Sequence, residues 1–123
     1  MKIVIDVDDT LCETDISIPY NLRKPKTEVI KRLQEYKNMG FEIVICTGRQ
    51  MRTYEKNIGK MNIFTLPILL DWLKEHKVPF DEVHIGKPWE GHKGFRIDDK
   101  TVRPREFITL TYWQILELLE NDK

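Results

Sequence analysis

The stretch Lys2-Ile3-Val4-Ile5-Asp6-Val7-Asp8-Asp9-Thr10 decides how the rest of this chain is read. Ile3 to Ile5 form a short β-branched run bounded by polar residues, the pattern of a buried strand. It leads directly into Asp6, Asp8 and Asp9. Carboxylates packed that closely resist joint ionisation, and a divalent cation with oxygen ligands is the usual relief. Residues two apart on a strand share a side, so Asp6 and Asp8 can address one ion. An acidic turn after a strand would look the same over this stretch, so the rest of the chain must choose.

Downstream, the pattern repeats as strand, helix, strand. Val29, Ile30, Leu33, Tyr36 and Met39 recur at helical spacing, with Pro25 placed for the first turn and Gly40 just past the end. Phe41 to Cys46 is a second strand, ending in Thr47-Gly48-Arg49. The two strands and their helix make a βαβ unit with a parallel crossover. Between 50 and 61, Met51, Tyr54, Ile58 and Met61 form an apolar stripe, and Arg49, Arg52, Lys56 and Lys60 a basic one. Together they predict one amphipathic helix. A further helix is predicted over Leu66 to Lys77, with Thr65 as its cap and Pro67 in its first turn. Glu82 to Ile85 is the third strand, ending in Gly86-Lys87-Pro88. Phe95 to Ile97 is a fourth, ending in Asp98-Asp99. Lys100 to Leu110 reads mostly as loop. Thr111 and Gln114 stand at capping-box spacing before a last helix reaching Glu120. Tyr112, Ile115, Leu116 and Leu119 are its expected inner face, and Trp113 and Leu118 lie off it.

Size and charge narrow the possibilities. A chain of 123 residues is expected to form one domain, residues 1–123. Twenty basic residues balance twenty acidic ones, which favours neither nucleic acid nor an anionic membrane as partner. No apolar stretch approaches the roughly 20 residues that span a bilayer. Cys12 and Cys46 have no metal or redox spacing, so a cytoplasmic protein with reduced, inert thiols is expected.

Four strand ends therefore carry Asp6/Asp8, Thr47, Lys87 and Asp98/Asp99. A parallel sheet gathers such ends along one edge, where open α/β sheets bind ligands. These residue types suit phosphoryl transfer. Carboxylates hold Mg2+, which binds phosphate oxygens. An Asp can attack phosphorus, and a second carboxylate can move the proton. Lys87 and Thr47 can meet the charge on phosphoryl oxygens. No Gly-x-x-x-x-Gly-Lys-Ser/Thr is present, so a P-loop is excluded.

Ile-Asp-Val-Asp-Asp-Thr, Ile-Cys-Thr-Gly-Arg, Gly-Lys-Pro and Ile-Asp-Asp, in that order over residues 3 to 99, resemble the four motifs of the haloacid dehalogenase superfamily. The resemblance implies an α/β fold, a three-layer Rossmann-like parallel sheet flanked by helices. It implies Asp6 as nucleophile, Asp8 as general acid/base, and Thr47 and Lys87 as orienting groups. Mg2+ would sit on Asp6, the Asp8 carbonyl and Asp98, with Asp99 close by. Met-Arg-Thr-Tyr at 51–54 and Gly-Lys-Pro-Trp at 86–89 further resemble small phosphatases of capsular polysaccharide biosynthesis.

Two features depart from that pattern. Position 9 is Asp where many members have Gly, either as a turn residue or as an added acceptor near the metal. The seven residues from Pro88 to Gly94 span at most ~23 Å at about 3.3 Å each, short for a parallel return. No insert is long enough for a large cap domain. Gly48, Arg49 and Arg52 are the substrate-binding candidates, arginine being suited to two-point contact with phosphate or carboxylate. Trp89 and His92 occupy a loop at the same edge. His76 is expected on a helix and His84 on a strand face.

The expected activity is a Mg2+-dependent phosphomonoesterase for a small phosphosugar. A homo-oligomer is expected, a tetramer by analogy only, with Trp113 and Leu118 as its apolar contact. The rivals are a phosphatase for a nucleic-acid end or phosphoprotein, and a receiver-type or silent binding module. A receiver needs its phosphoacceptor Asp at a middle strand end, where this chain has Thr47.

Overall fold

Every residue from Phe41 to Ile45 except Glu42 is buried, with Ile43 and Ile45 fully enclosed. Successive strand residues point to opposite faces, so burial of Ile43, Val44 and Ile45 in a row means both faces are covered there. The computed structural model, which describes all 123 residues, makes this the middle strand of three. The strands are β1 (Lys2–Ile5), β2 (Glu42–Cys46) and β3 (Glu82–His84), all parallel and in the order β1-β2-β3. Ile3 pairs with Ile43 and Ile45 with Val83. The Rossmann-like α/β arrangement expected from the sequence is the one found.

The chain divides into two compact units, Met1–Trp89 and Glu90–Lys123. In the first, α1 (Thr27–Asn38) buries Val29, Ile30, Leu33 and Tyr36, the apolar stripe predicted for it. Helices α2 (Ile58–Phe64) and α3 (Leu66–Glu75) follow β2. Trp72 on α3 is 1% exposed, and its indole N–H donates to the Arg23 carbonyl at 2.9 Å, so burial leaves no polar atom unpaired there. Asp81 ties the elements together: it accepts from the Ile43 amide at 2.8 Å and from Lys37 Nζ at 2.7 Å. Those two bonds hold its carboxyl below the usual range, the lysine contact first. In the second unit, α4 (Pro104–Thr109) buries Phe107 and α5 (Tyr112–Asn121) buries Ile115.

Several expectations are corrected. The helix predicted over 50–61 does not form; residues 50–56 are turns and α2 begins only at Ile58. Gln50, Glu55 and Lys56 have φ of 62°, 50° and 64°, a left-handed backbone that cannot continue a right-handed helix. Asn57 then caps α2 by accepting from the Lys60 amide at 3.0 Å. Thr65 does not cap α3; it is itself helical, and its hydroxyl donates to Gln50 Oε1 at 2.6 Å. The segment 100–110 is not mostly loop, because α4 lies within it. Pro104 opens that helix, and Glu106 accepts from the Arg103 amide at 2.8 Å. Phe95 to Ile97 is not a strand: the residues pair with no ladder, and Phe95 and Ile97 are 80% and 90% exposed. Leu116, expected inside, is exposed. Trp113 is 75% exposed. The capping box of Thr111 and Gln114 forms as read.

Candidate functional site at the carboxyl ends of the strands

Beyond β1 the chain turns sharply because the Val7 carbonyl accepts from the amides of Thr10, Leu11 and Cys12, at 3.1, 2.8 and 3.2 Å. Val7, Leu11 and Cys12 are fully buried and fix this turn from below. Asp9 takes φ +62°, a left-handed conformation that Asp tolerates and most side chains do not. Its carboxylate accepts from the Thr14 amide at 3.1 Å and its carbonyl from Lys26 Nζ at 2.8 Å. Asp9 thus serves as the turn residue.

Pairing between β2 and β3 continues past both strands. The Thr47 amide donates to the His84 carbonyl at 2.9 Å, and the Lys87 amide to the Thr47 carbonyl at 3.1 Å. The two loops meet so closely that a Cβ on Gly48 would stand 2.8 Å from the Lys87 carbonyl oxygen. Only glycine fits that approach. Lys87 Nζ then reaches Asp6 Oδ1 at 3.2 Å, and Thr10 donates to Asp6 Oδ2 at 3.3 Å. Thr47 is 1% exposed, and its hydroxyl oxygen accepts from the Arg49 amide at 3.1 Å, which leaves the hydroxyl proton to donate.

Asp8 sits in a different setting. Arg49 grips it with two nitrogens, Nη2 to Oδ1 at 2.8 Å and Nε to Oδ2 at 3.2 Å. Arg23 adds a 3.4 Å contact to Oδ1. Both guanidiniums lie over the Tyr20 ring, each 4.3 Å from its centroid, a contact favoured by the ring's negative face. Arg49 Nη1 is buried with no acceptor, and the Tyr20 ring supplies electron density beside it. Arg49, a substrate-binding candidate, is therefore turned inward onto Asp8, with its side chain 2% exposed. Sequence gave no signal for Arg23 or Tyr20.

Arg52 is exposed. With Met51, Glu55, Lys56 and Trp89 it lines an open pocket of about 300 Å³, its guanidinium 6.0 Å from the Trp89 ring. The three left-handed residues fall in or beside this loop; such strain collects where binding surfaces are shaped.

The remaining candidates are peripheral. Burial first, then the nearby Asp8 charge, pushes the Cys12 thiol from 9.0 up to about 12, so it stays protonated and inert. His76 packs on Trp72, His84 is exposed on β3, and His92 is exposed. Asp98 and Asp99 lie in the second unit. Asp98 accepts from the Lys100 amide at 3.1 Å, which draws its carboxyl below the usual range.

Whether Mg2+ fits these residues turns on donors. The Asp6 carboxylate and the Asp8 carbonyl, which accepts no hydrogen bond, are hard oxygens of the right kind. No three His, Cys, Asp or Glu side chains are gathered for an ion. The first unit thus fits Mg2+ in chemistry and offers few side-chain ligands for it. No helix is long and apolar enough to cross a membrane.

A family model described as haloacid dehalogenase-like hydrolase matches residues 3–70. No curated protein matches. A crystal structure of an MCSG target from Vibrio cholerae is 51% identical, with a TM-score of 0.96 over 99% of this chain and 98% of that one. The family match takes in Asp6, Asp8 and Thr47, the residues that the first two strands deliver to one edge, and this chain belongs to the haloacid dehalogenase-like hydrolases.

Proposed function

We propose that this hydrolase is a capless, Mg2+-dependent phosphomonoesterase of the cytoplasm, acting on a small phosphosugar in capsule or cell-surface polysaccharide biosynthesis. The observation that carries the reading is the Asp6 carboxylate held 3.2 Å from Lys87 Nζ, beside the Thr47 hydroxyl loop. A nucleophile and a fixed positive charge are then in contact, with the backbone of Thr47 bonded to that of Lys87.

Asp6 attacks phosphorus, and the bond from phosphorus to the substrate oxygen breaks, leaving an aspartyl-phosphate. Asp8, held in place by Arg49, gives its proton to the departing alkoxide. It then takes a proton from water as that water attacks phosphorus, the bond to Asp6 breaks, and phosphate leaves. Lys87 and Thr47 meet the oxygens on which charge grows. Asp6 and the Asp8 carbonyl, with Asp98 and Asp99 as further carboxylates, would hold Mg2+, which neutralises phosphate charge.

The pocket of Met51, Arg52, Glu55, Lys56 and Trp89 supports a sugar as the leaving group. An indole face packs on the apolar side of a sugar ring, while Arg52, Lys56 and Glu55 answer its hydroxyls or a second anionic group. Hydrolysis should be screened over phosphosugars, nucleotides and polynucleotide ends, with and without Mg2+. Turnover of phosphosugars that needs Mg2+ is expected; turnover of polynucleotides alone would overturn the substrate assignment.

A further inference from the structure

The sheet has two open edges, β1 and the three-residue β3 with its exposed Glu82 and His84, and the chain has one segment of strand composition outside the ladders. β1 pairs with β2 alone, and Val4 in it is 66% exposed, unlike the enclosed residues of β2. Open edges with apolar side chains invite another strand. Residues 92–101 are exposed throughout, Phe95 and Ile97 most of all among their apolar members, at 80% and 90%. A ten-residue exposed run that carries two large apolar side chains is a surface awaiting cover.

The two features match in register. Laid parallel so that Asp98 is level with Asp6, Phe95 falls beside Ile3, Arg96 beside Val4, and Ile97 beside Ile5. Ile5 is buried and Ile3 half-buried, while Val4 is exposed. Apolar side chains therefore meet the inner residues and Arg96 meets the outer one. A slip of one residue would reverse this.

The connection works against pairing within one chain. The free edge of β1 lies three strand spacings from β3, ~14 Å sideways, and a parallel entry lies ~10 Å back along the strands. Any path must also climb over the side chains of a sheet face. Residues 90–94 are not extended enough for this. Gly91 turns with φ +82°, a Cβ on Gly94 would run into the Glu90 carbonyl, and Arg96 is paired to Glu90 at 2.9 Å. The segment is folded back on itself.

We propose that Phe95–Ile97 adds as a fourth parallel strand to β1 of a second copy of this chain, bringing Asp98 and Asp99 to the Asp6 of that copy. Each site in the resulting dimer is then built from two chains. The part concerning Asp98 rests on the metal site proposed above; the strand exchange stands on edge, register and reach.

Two experiments separate those parts. The variant Val4→Cys/Arg96→Cys/Cys46→Ser is oxidised and run on a denaturing, non-reducing gel. A disulfide-linked dimer is expected; an internal disulfide, or none, overturns the exchange, as does a monomer in sedimentation of the unmodified protein. For the site, Asp6→Asn and Asp98→Asn chains with different tags are co-expressed, and the mixed dimer is purified. Each variant alone should be inactive, while the purified mixed dimer should recover about half of normal activity, one intact site of its two. No recovery, with active unmodified enzyme, overturns the shared site. Failure of the unmodified enzyme on every phosphate ester would count against the phosphatase reading, and the gel would still decide the exchange.

Discussion

Lys87 Nζ stands 3.2 Å from Asp6 Oδ1 although 81 positions separate them. The contact exists because β1 and β3 flank β2 in parallel, and because Gly48 lets the Lys87 loop approach. Asp6→Asn should abolish turnover of every phosphate ester while circular dichroism and the melting temperature stay near normal. Lys87→Ala should leave the fold intact and lower kcat by roughly 100-fold or more, as when one fixed donor is lost from a charge-stabilising site. Initial rates at saturating substrate check both.

Arg49 and Asp8 form the most enclosed ion pair in the chain. Arg49→Ala would leave the Asp8 charge with only Arg23 at 3.4 Å and open space against Tyr20. A loss of about 1–3 kcal/mol in urea unfolding is expected, less than for a fully buried pair because Asp8 is 27% exposed. Arg49→Lys should recover little, since an ammonium cannot grip both oxygens.

Asp8→Asn should slow esters of poor leaving groups far more than aryl phosphates whose leaving group needs no proton. Comparison of an alkyl and a nitrophenyl phosphate measures this directly. Equal loss on both would remove Asp8 as proton donor.

The pocket variants should act on binding. Trp89→Ala and Arg52→Ala are expected to raise KM for a phosphosugar several-fold, with kcat changed less, because both line the pocket proposed to hold the sugar. With a small aryl phosphate that leaves the pocket empty, the same variants should behave as unmodified enzyme.

Cys12 gives a pH signature. Its folded value of about 12 exceeds the ordinary 9.0, so the folded protein holds a proton that the unfolded chain releases. That contribution is complete below pH 9 and is lost as pH rises toward 12, by up to roughly 4 kcal/mol. Denaturant melts from pH 8 to 11 should show stability falling, and less so for Cys12→Ala. Iodoacetamide at pH 8 should modify Cys46 before Cys12.

Local pattern alone determined the strand–helix–strand core and the carboxylate turn. Ile3–Ile5, the stripe of α1 and Phe41–Cys46 are short-range periodicities that burial enforces, and the structure keeps them. The placement of Asp6, Thr47 and Lys87 at one edge was also legible, because a parallel sheet leaves little choice. The helix read over 50–61 failed because its stripes fit a helical period while three left-handed residues interrupt the backbone, which periodicity cannot detect. Phe95–Ile97 has strand composition, yet a strand exists only where an edge lies within reach. Which partner each arginine takes belonged wholly to tertiary structure: Arg49 and Arg52 are three residues apart, and only the turn between them sends one inward to Asp8 and the other out to Trp89.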